Sequence, residues 1–186
     1  MSRFELLAAL FGITSVALSV KQSVWSWPVG VANVTLYVVV FYGAELYANM
    51  GLQVIYIVLS FYGWYQWLYG GRGRTTLPVS RTSTRLALAL LAIGVTFSAS
   101  LGVLLGRLTD ASLPVLDSAA TATSLVAQYM MTRKLLECWL VWIAVDVVYV
   151  GMFLYKSLYL TAGLYAVFLL LAFSGYREWK RSLRAA

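Results

Sequence analysis

The residues best suited to chemistry lie in "WLVWIAVDVVYV", 139 to 150, where one carboxylate, Asp146, interrupts an otherwise apolar and aromatic run. On a helix, Trp139, Trp142, Asp146 and Tyr149 stand at i, i+3, i+7 and i+10 and share one face. Two indoles, an acid and a phenol on one stripe suit a flat, positively charged, hydroxyl-bearing ligand. Its ring stacks, and its charge meets both π-faces and the carboxylate. The structural alternative has the tryptophans packing helices and Asp146 accepting interhelical hydrogen bonds. A second stripe holds Trp27, Gly30, Asn33 and Tyr37, with the Asn33 amide directed across the same pocket. A third holds Gln53, Tyr56, Ser60, Trp64 and Trp67, and Gln128 lies deep in an apolar run, where an amide needs a partner from a ligand or a neighbouring helix. Trp67 and Trp179 stand next to basic segments and are expected as anchors at a membrane–water boundary rather than as ligand contacts. Asp117 is open to pairing with Arg107. Glu137, within a turn of Arg133 and Lys134, is expected in a structural ion pair.

The elements that must hold these residues follow from composition. Hydrophobic residues make up 61% of the 186, charged residues 11%, and the mean hydropathy is +0.79, which excludes an ordinary water-soluble domain. Apolar runs near twenty residues long, enough to cross about 30 Å of hydrocarbon, are predicted at 3–20, 27–43, 46–69, 86–106, 112–131, 136–155 and 158–178. The first lacks a basic leader and a clear cleavage site, so it reads as a retained span rather than a signal peptide. The expected fold is all-α and integral to the membrane, with seven transmembrane helices. It divides into a three-helix unit at 1–70, a loop and linker helix at 71–110, and a second three-helix unit with a short tail at 111–186.

Charge orients the bundle. Lys21, Arg72, Arg74, Arg81, Arg85, Arg133, Lys134, Arg177, Lys180, Arg181 and Arg184 fall on one side of a seven-span chain, and only Arg3, Arg107 and Lys156 on the other. The positive-inside rule then places the C-terminus in the cytoplasm and the N-terminus outside. Topology and anionic lipid account for the net charge of +7 without a nucleic-acid partner. No GxxxxGK[ST] stretch is present to hold ATP, there is no histidine, and Cys138 is the single cysteine, so neither metal site, disulfide nor cofactor is expected.

The chain also repeats itself. At an offset of 112, residues 27–67 align with 139–179 without a gap, pairing Trp27 with Trp139, Ala32 with Ala144, Phe41 with Phe153, Gly51 with Gly163, Gly63 with Gly175 and Trp67 with Trp179. More weakly, Glu5 meets Asp117. Four spans per offset preserves direction, so the two triple-helix units are parallel, flanking one linker helix. Transporters built this way, among them the SWEET carriers, bind substrate between the halves near the midplane.

"SVWSWPVGVANVTLYVVVF", "LYANMGLQVIYIVLSFYGWYQW", "PVLDSAATATSLVAQYMMTRKLLECWLVWIAVDVVYV" and "LYLTAGLYAVFLLLAFSGYREW" resemble the PnuC family of vitamin transporters over nearly the whole chain. The most specific element is the family's W-x2-W-x3-N pattern, matched by Trp139 and Trp142 with Asp146 in place of Asn. The resemblance implies a SWEET-like 3+1+3 fold, a homotrimer in the bacterial inner membrane, and facilitated diffusion of an unphosphorylated vitamin that a cytosolic kinase then traps. Nicotinamide riboside is the first-choice substrate it implies, with thiamine and riboflavin carried by sister groups. Asp146 adds a charge compatible with nicotinamide riboside or thiamine, both cations, and adverse to neutral riboflavin. The sequence runs only a short way past the seventh apolar run, and no regulatory tail is expected. Two other classes fit less well. An intramembrane enzyme needs a nucleophile with a base, paired acids or a metal, and no such set is present. A purely structural subunit has no need of deep polar and aromatic residues.

Overall fold

The computed structural model describes residues 3–43, 47–108 and 114–185. Within them the chain forms seven helices: α1 (Arg3–Val20), α2 (Ser26–Gly43), α3 (Tyr47–Tyr69), α4 (Thr84–Leu108), α5 (Pro114–Thr132), α6 (Cys138–Tyr155) and α7 (Tyr159–Ala185). Six follow the predicted spans closely. The seventh runs on past 178 because "REWKRSLRA" is rich in good helix formers. Pro114 opens α5 and Pro28 sits in the first turn of α2, where a missing N–H leaves no helical bond unmade.

Four helices are long and apolar enough by composition alone to cross a membrane: α2, α4 over Thr84–Leu104, α6 and α7. α3 and α5 are not among them, and each carries polar side chains on one face: Gln53 and Ser60 on α3, Thr121, Ser124 and Gln128 on α5. The exterior is apolar, with Leu88, Leu91, Ile93, Leu160 and Leu170 all exposed, while Ser60, Ser124 and Asp146 are buried. This inverts the pattern of a protein folded in water and matches one whose outer solvent is hydrocarbon.

The helices pack as a closed ring. Among the described residues α1 packs on α2, α2 on α3, α3 on α5, α5 on α6, α6 on α7, and α7 returns to α1, while α4 packs on α5 alone. The ring obeys the sequence offset, since α3 against α5 corresponds to α7 against α1. The turns obey it too. Gln22 after α1 and Lys134 after α5 both adopt the left-handed conformation, at φ 55° and 47°. Around Gln22, the N–H donors of Gln22, Ser23 and Ser26 bond the carbonyls of Ser19, Leu18 and Ser23. Around Lys134, those of Lys134, Leu135 and Cys138 bond the carbonyls of Met131, Met130 and Leu135. The repeat therefore extends upstream of the aligned sequence, into turns whose side chains differ.

The connection between α3 and α4 crosses the basic end of the ring. Its Ser80 N–H donates to Lys134 O at 3.0 Å, and Ser80 O accepts from the Leu136 N–H at 2.9 Å. Thr82 then donates from its backbone N–H and its hydroxyl to the same Glu137 oxygen, both at 2.8 Å. This corrects the expected pairing of Glu137 with Arg133 and Lys134. The carboxylate holds down the connection from α3, while Arg133 donates to the Tyr62 hydroxyl at 3.2 Å. Among the described residues an ion pair joins the exposed Arg181 and Glu178 at 3.7 Å.

Candidate functional site

A cavity of about 540 Å³ occupies the middle of the ring, within the range typical of small-molecule sites. The side of it built by α6 presents Trp139, Trp142, Asp146 and Tyr149, one helical face as the spacing predicts. Asn33 and Tyr37 come from α2, Gln53, Tyr56 and Ser60 from α3, and Gln128 from α5, so the fold brings all ten of the expected residues onto one surface.

Asp146 is 3% exposed. Its carboxylate has no hydrogen-bond or ion-pair partner among the described residues, and no Lys or Arg lines the cavity. A carboxylate at such depth is costly unless it faces a partner or a watery cavity, and Asp146 faces the cavity. The Asn33 amide is differently used. Its Nδ2 donates to Ala8 O of α1 at 2.6 Å, which commits one of the two amide N–H groups to the fold.

Aromatic rings build the far half of the cavity in symmetric pairs. Tyr37 stacks on Phe41 at 5.7 Å and 22°, and the offset equivalents Tyr149 and Phe153 stack at 5.8 Å and 16°. Tyr165 leans on both members of the second pair, at 4.8 and 5.1 Å. The symmetry fails at two positions of the lining: Trp142 and Asp146 on α6 correspond to Gly30 and Val34 on α2, so one half presents an indole and a carboxylate where the other presents small apolar residues.

Sequence reasoning missed several lining residues. Asp117, Thr121 and Ser124 join the expected Gln128 at i, i+4, i+7 and i+11 on α5, a polar face legible from spacing alone. Asp117 belongs to this wall and makes no ion pair with Arg107 among the described residues. Thr161, Tyr165 and Phe168 of α7 also line it. Trp64 and Trp67 do not; Trp64 stacks on Phe61.

The expectation for Trp67 and Trp179 needs correcting. Neither touches the cavity, but neither is a boundary anchor: both are 0% exposed at the centre of the basic end. A tryptophan next to charged residues in sequence can face lipid or the ring interior, and here the interior offers backbone acceptors for its N–H.

A ring of lipid-facing helices around a ligand-sized, acid-bearing cavity defines a membrane transporter for small molecules. Residues 2–181 match the nicotinamide mononucleotide transporter family, and the chain belongs to it, a family of vitamin transporters that includes PnuC. It is 27% identical over 209 residues to the nicotinamide riboside transporter PnuC of Escherichia coli, covering 99% of this chain and 87% of that one. It is 26% identical over 181 residues to the riboflavin/roseoflavin transporter RibM of Streptomyces davaonensis, covering 94% and 83%. The crystal structure of the vitamin B3 transporter PnuC shares the fold with a TM-score of 0.75 at 25% identity, covering 96% of this chain and 81% of that one.

Proposed function

We propose that this vitamin transporter carries a cationic, unphosphorylated vitamin, nicotinamide riboside before thiamine, by facilitated diffusion. The observation that carries the reading is Asp146, buried, unpartnered and set between Trp142 and Tyr149 on the cavity surface. A pyridinium ring stacks on the indole while its charge meets the acid, and the ribose hydroxyls find Gln53, Ser60, Thr121 and Gln128. A mononucleotide is disfavoured even though the family is named for one. Its phosphate adds a charge of about −1.5 to −2, and the cavity lining offers Asp117 and Asp146 but no cation. The likeness to a riboflavin carrier keeps a neutral flavin as the rival ligand, and the unpaired carboxylate argues against it.

In this reading the two three-helix units, 1–70 and 111–186, rock about the central site, with 71–110 as linker. The basic end faces the cytoplasm, where a kinase phosphorylates the vitamin and traps it. The assembly is a homotrimer in the bacterial inner membrane with the N-terminus outside. Calorimetry of the purified protein with nicotinamide riboside, thiamine, riboflavin and nicotinamide mononucleotide tests the ligand. The two cations bind and the other two do not; preferential binding of riboflavin or the mononucleotide overturns the reading.

A further inference from the structure

Towards the basic end the cavity stops at a plug of four indoles. Trp27 and Trp139 form its surface, and Trp67 and Trp179 lie behind them, fully buried. Trp27 meets Trp67 edge-on at 5.3 Å and 89°, Trp139 meets Trp179 at 5.3 Å and 86°, and Trp67 and Trp179 touch at 5.9 Å. Each rear indole donates across the boundary between the halves to a carbonyl at a helix end. Trp67 Nε1 bonds Met131 O of α5 at 3.0 Å, and Trp179 Nε1 bonds Ser19 O of α1 at 3.1 Å. The offset of 112 carries one bond onto the other, so a single contact is made twice.

The front pair differs. Trp27 Nε1 and Trp139 Nε1 are buried with no acceptor among the described residues. A buried donor without a partner forfeits its bond to water, so shutting the plug penalises the front indoles while it satisfies the rear ones. Gly63 and Gly175 provide the space the front indoles need, since a Cβ at either would overlap the ring of Trp27 or Trp139 respectively.

We propose that the four tryptophans are the gate at the basic end, held shut by the crossing Trp67 and Trp179 hydrogen bonds and biased towards opening by the unpartnered indoles of Trp27 and Trp139. The assignment rests on the transport reading, because a ligand leaving through this end must part these rings. Separating the halves breaks both rear bonds at once. It also wets the front N–H groups, which returns part of the loss.

The chain carries its own reporter. Cys138 is the single cysteine, fully buried, with Sγ 4.0 Å from Met131 Sδ, beside the residue whose carbonyl Trp67 holds. In the purified full chain, its rate of modification by a maleimide follows opening of this end. Trp67→Phe, Trp179→Phe and Trp27→Phe remove the same volume from the same cluster, but only the first two remove a hydrogen bond. The first two are expected to label about fivefold faster than Trp27→Phe, the weight of one ordinary hydrogen bond. Equal rates in the three variants overturn the gate. Should the rear variants fail to fold, by helical circular dichroism, Gly63→Ala decides: driving a Cβ into Trp27 accelerates labelling if the plug is the gate, and an unchanged rate overturns it. Labelling needs no vitamin. Absence of vitamin binding in the wild type therefore sinks the transport reading, whereas normal binding with uniform labelling sinks the gate alone.

Discussion

Asp146 and Trp142 carry different parts of the proposed recognition, and their removal should be separable. Asp146→Ala and Trp142→Ala are each expected to weaken binding of the cationic vitamin by about 1 kcal/mol or more, the scale of charge-assisted and cation–π contacts. Asp146→Asn should lose less, because the family's own pattern has Asn at this position; calorimetric affinities for the three variants give the comparison. Lys134 makes a second prediction. It is buried, with Nζ 4.5 Å above the Trp67 ring, while its neighbours Arg133 and Glu137 are engaged by Tyr62 and Thr82. Burial pushes its pKa down from 10.5 to about 8. The folded state thus loses this proton before the unfolded state does. The penalty for the buried charge is complete below pH 8 and is relieved between 8 and 10.5, so stability rises with pH across that window. Thermal unfolding of Lys134→Met at pH 7.5 and 9.5 should show a flatter rise than the wild type.

At the scale of elements, the helices were legible because the membrane imposes their length and their hydropathy, and that signal survives without knowledge of packing. The polar face of α5 was legible in principle, yet Gln128 alone stood out, because Thr121 and Ser124 are unremarkable until the helix is seen to face a cavity. The matched turns at Gln22 and Lys134 were not legible. Backbone conformation repeats there while the side chains do not, and alignment reads side chains. Trp67 and Trp179 were misread for a related reason: distance from charged residues along the chain says nothing about which face of a helix a side chain occupies. Their identity across the repeat was the better clue. The connection from α3 to α4 is likewise more than a loop. Its Thr82 makes two hydrogen bonds to one carboxylate oxygen, and bonds to a charged acceptor are worth about 1.5–3 kcal/mol each. Glu137→Gln, which keeps shape and discards charge, is expected to lower thermal stability with little change in vitamin affinity, measurable by unfolding and calorimetry on the same preparation.

For the whole molecule, two copies of one three-helix design enclose a site that is itself unsymmetric. In the proposed transport cycle duplication would supply matched surfaces for rocking, and divergence at Gly30/Trp142 and Val34/Asp146 would orient the ligand one way. The sequence holds no nucleotide-binding motif, and Asp117 and Asp146 are the acids on the cavity wall among the described residues, so the proposed facilitated diffusion is tested by its indifference to a proton gradient. In vesicles without the trapping kinase, collapse of the proton gradient should leave initial vitamin uptake unchanged; a marked fall would show proton coupling, with Asp146 and Asp117 the cavity acids placed to carry it. The ring has one more consequence, for how the protein is made. Because the indole of Trp179 on α7 bonds the carbonyl of Ser19 on α1, the seam between α7 and α1 can form only once α7 has been synthesised, after the other helices of the ring have already emerged.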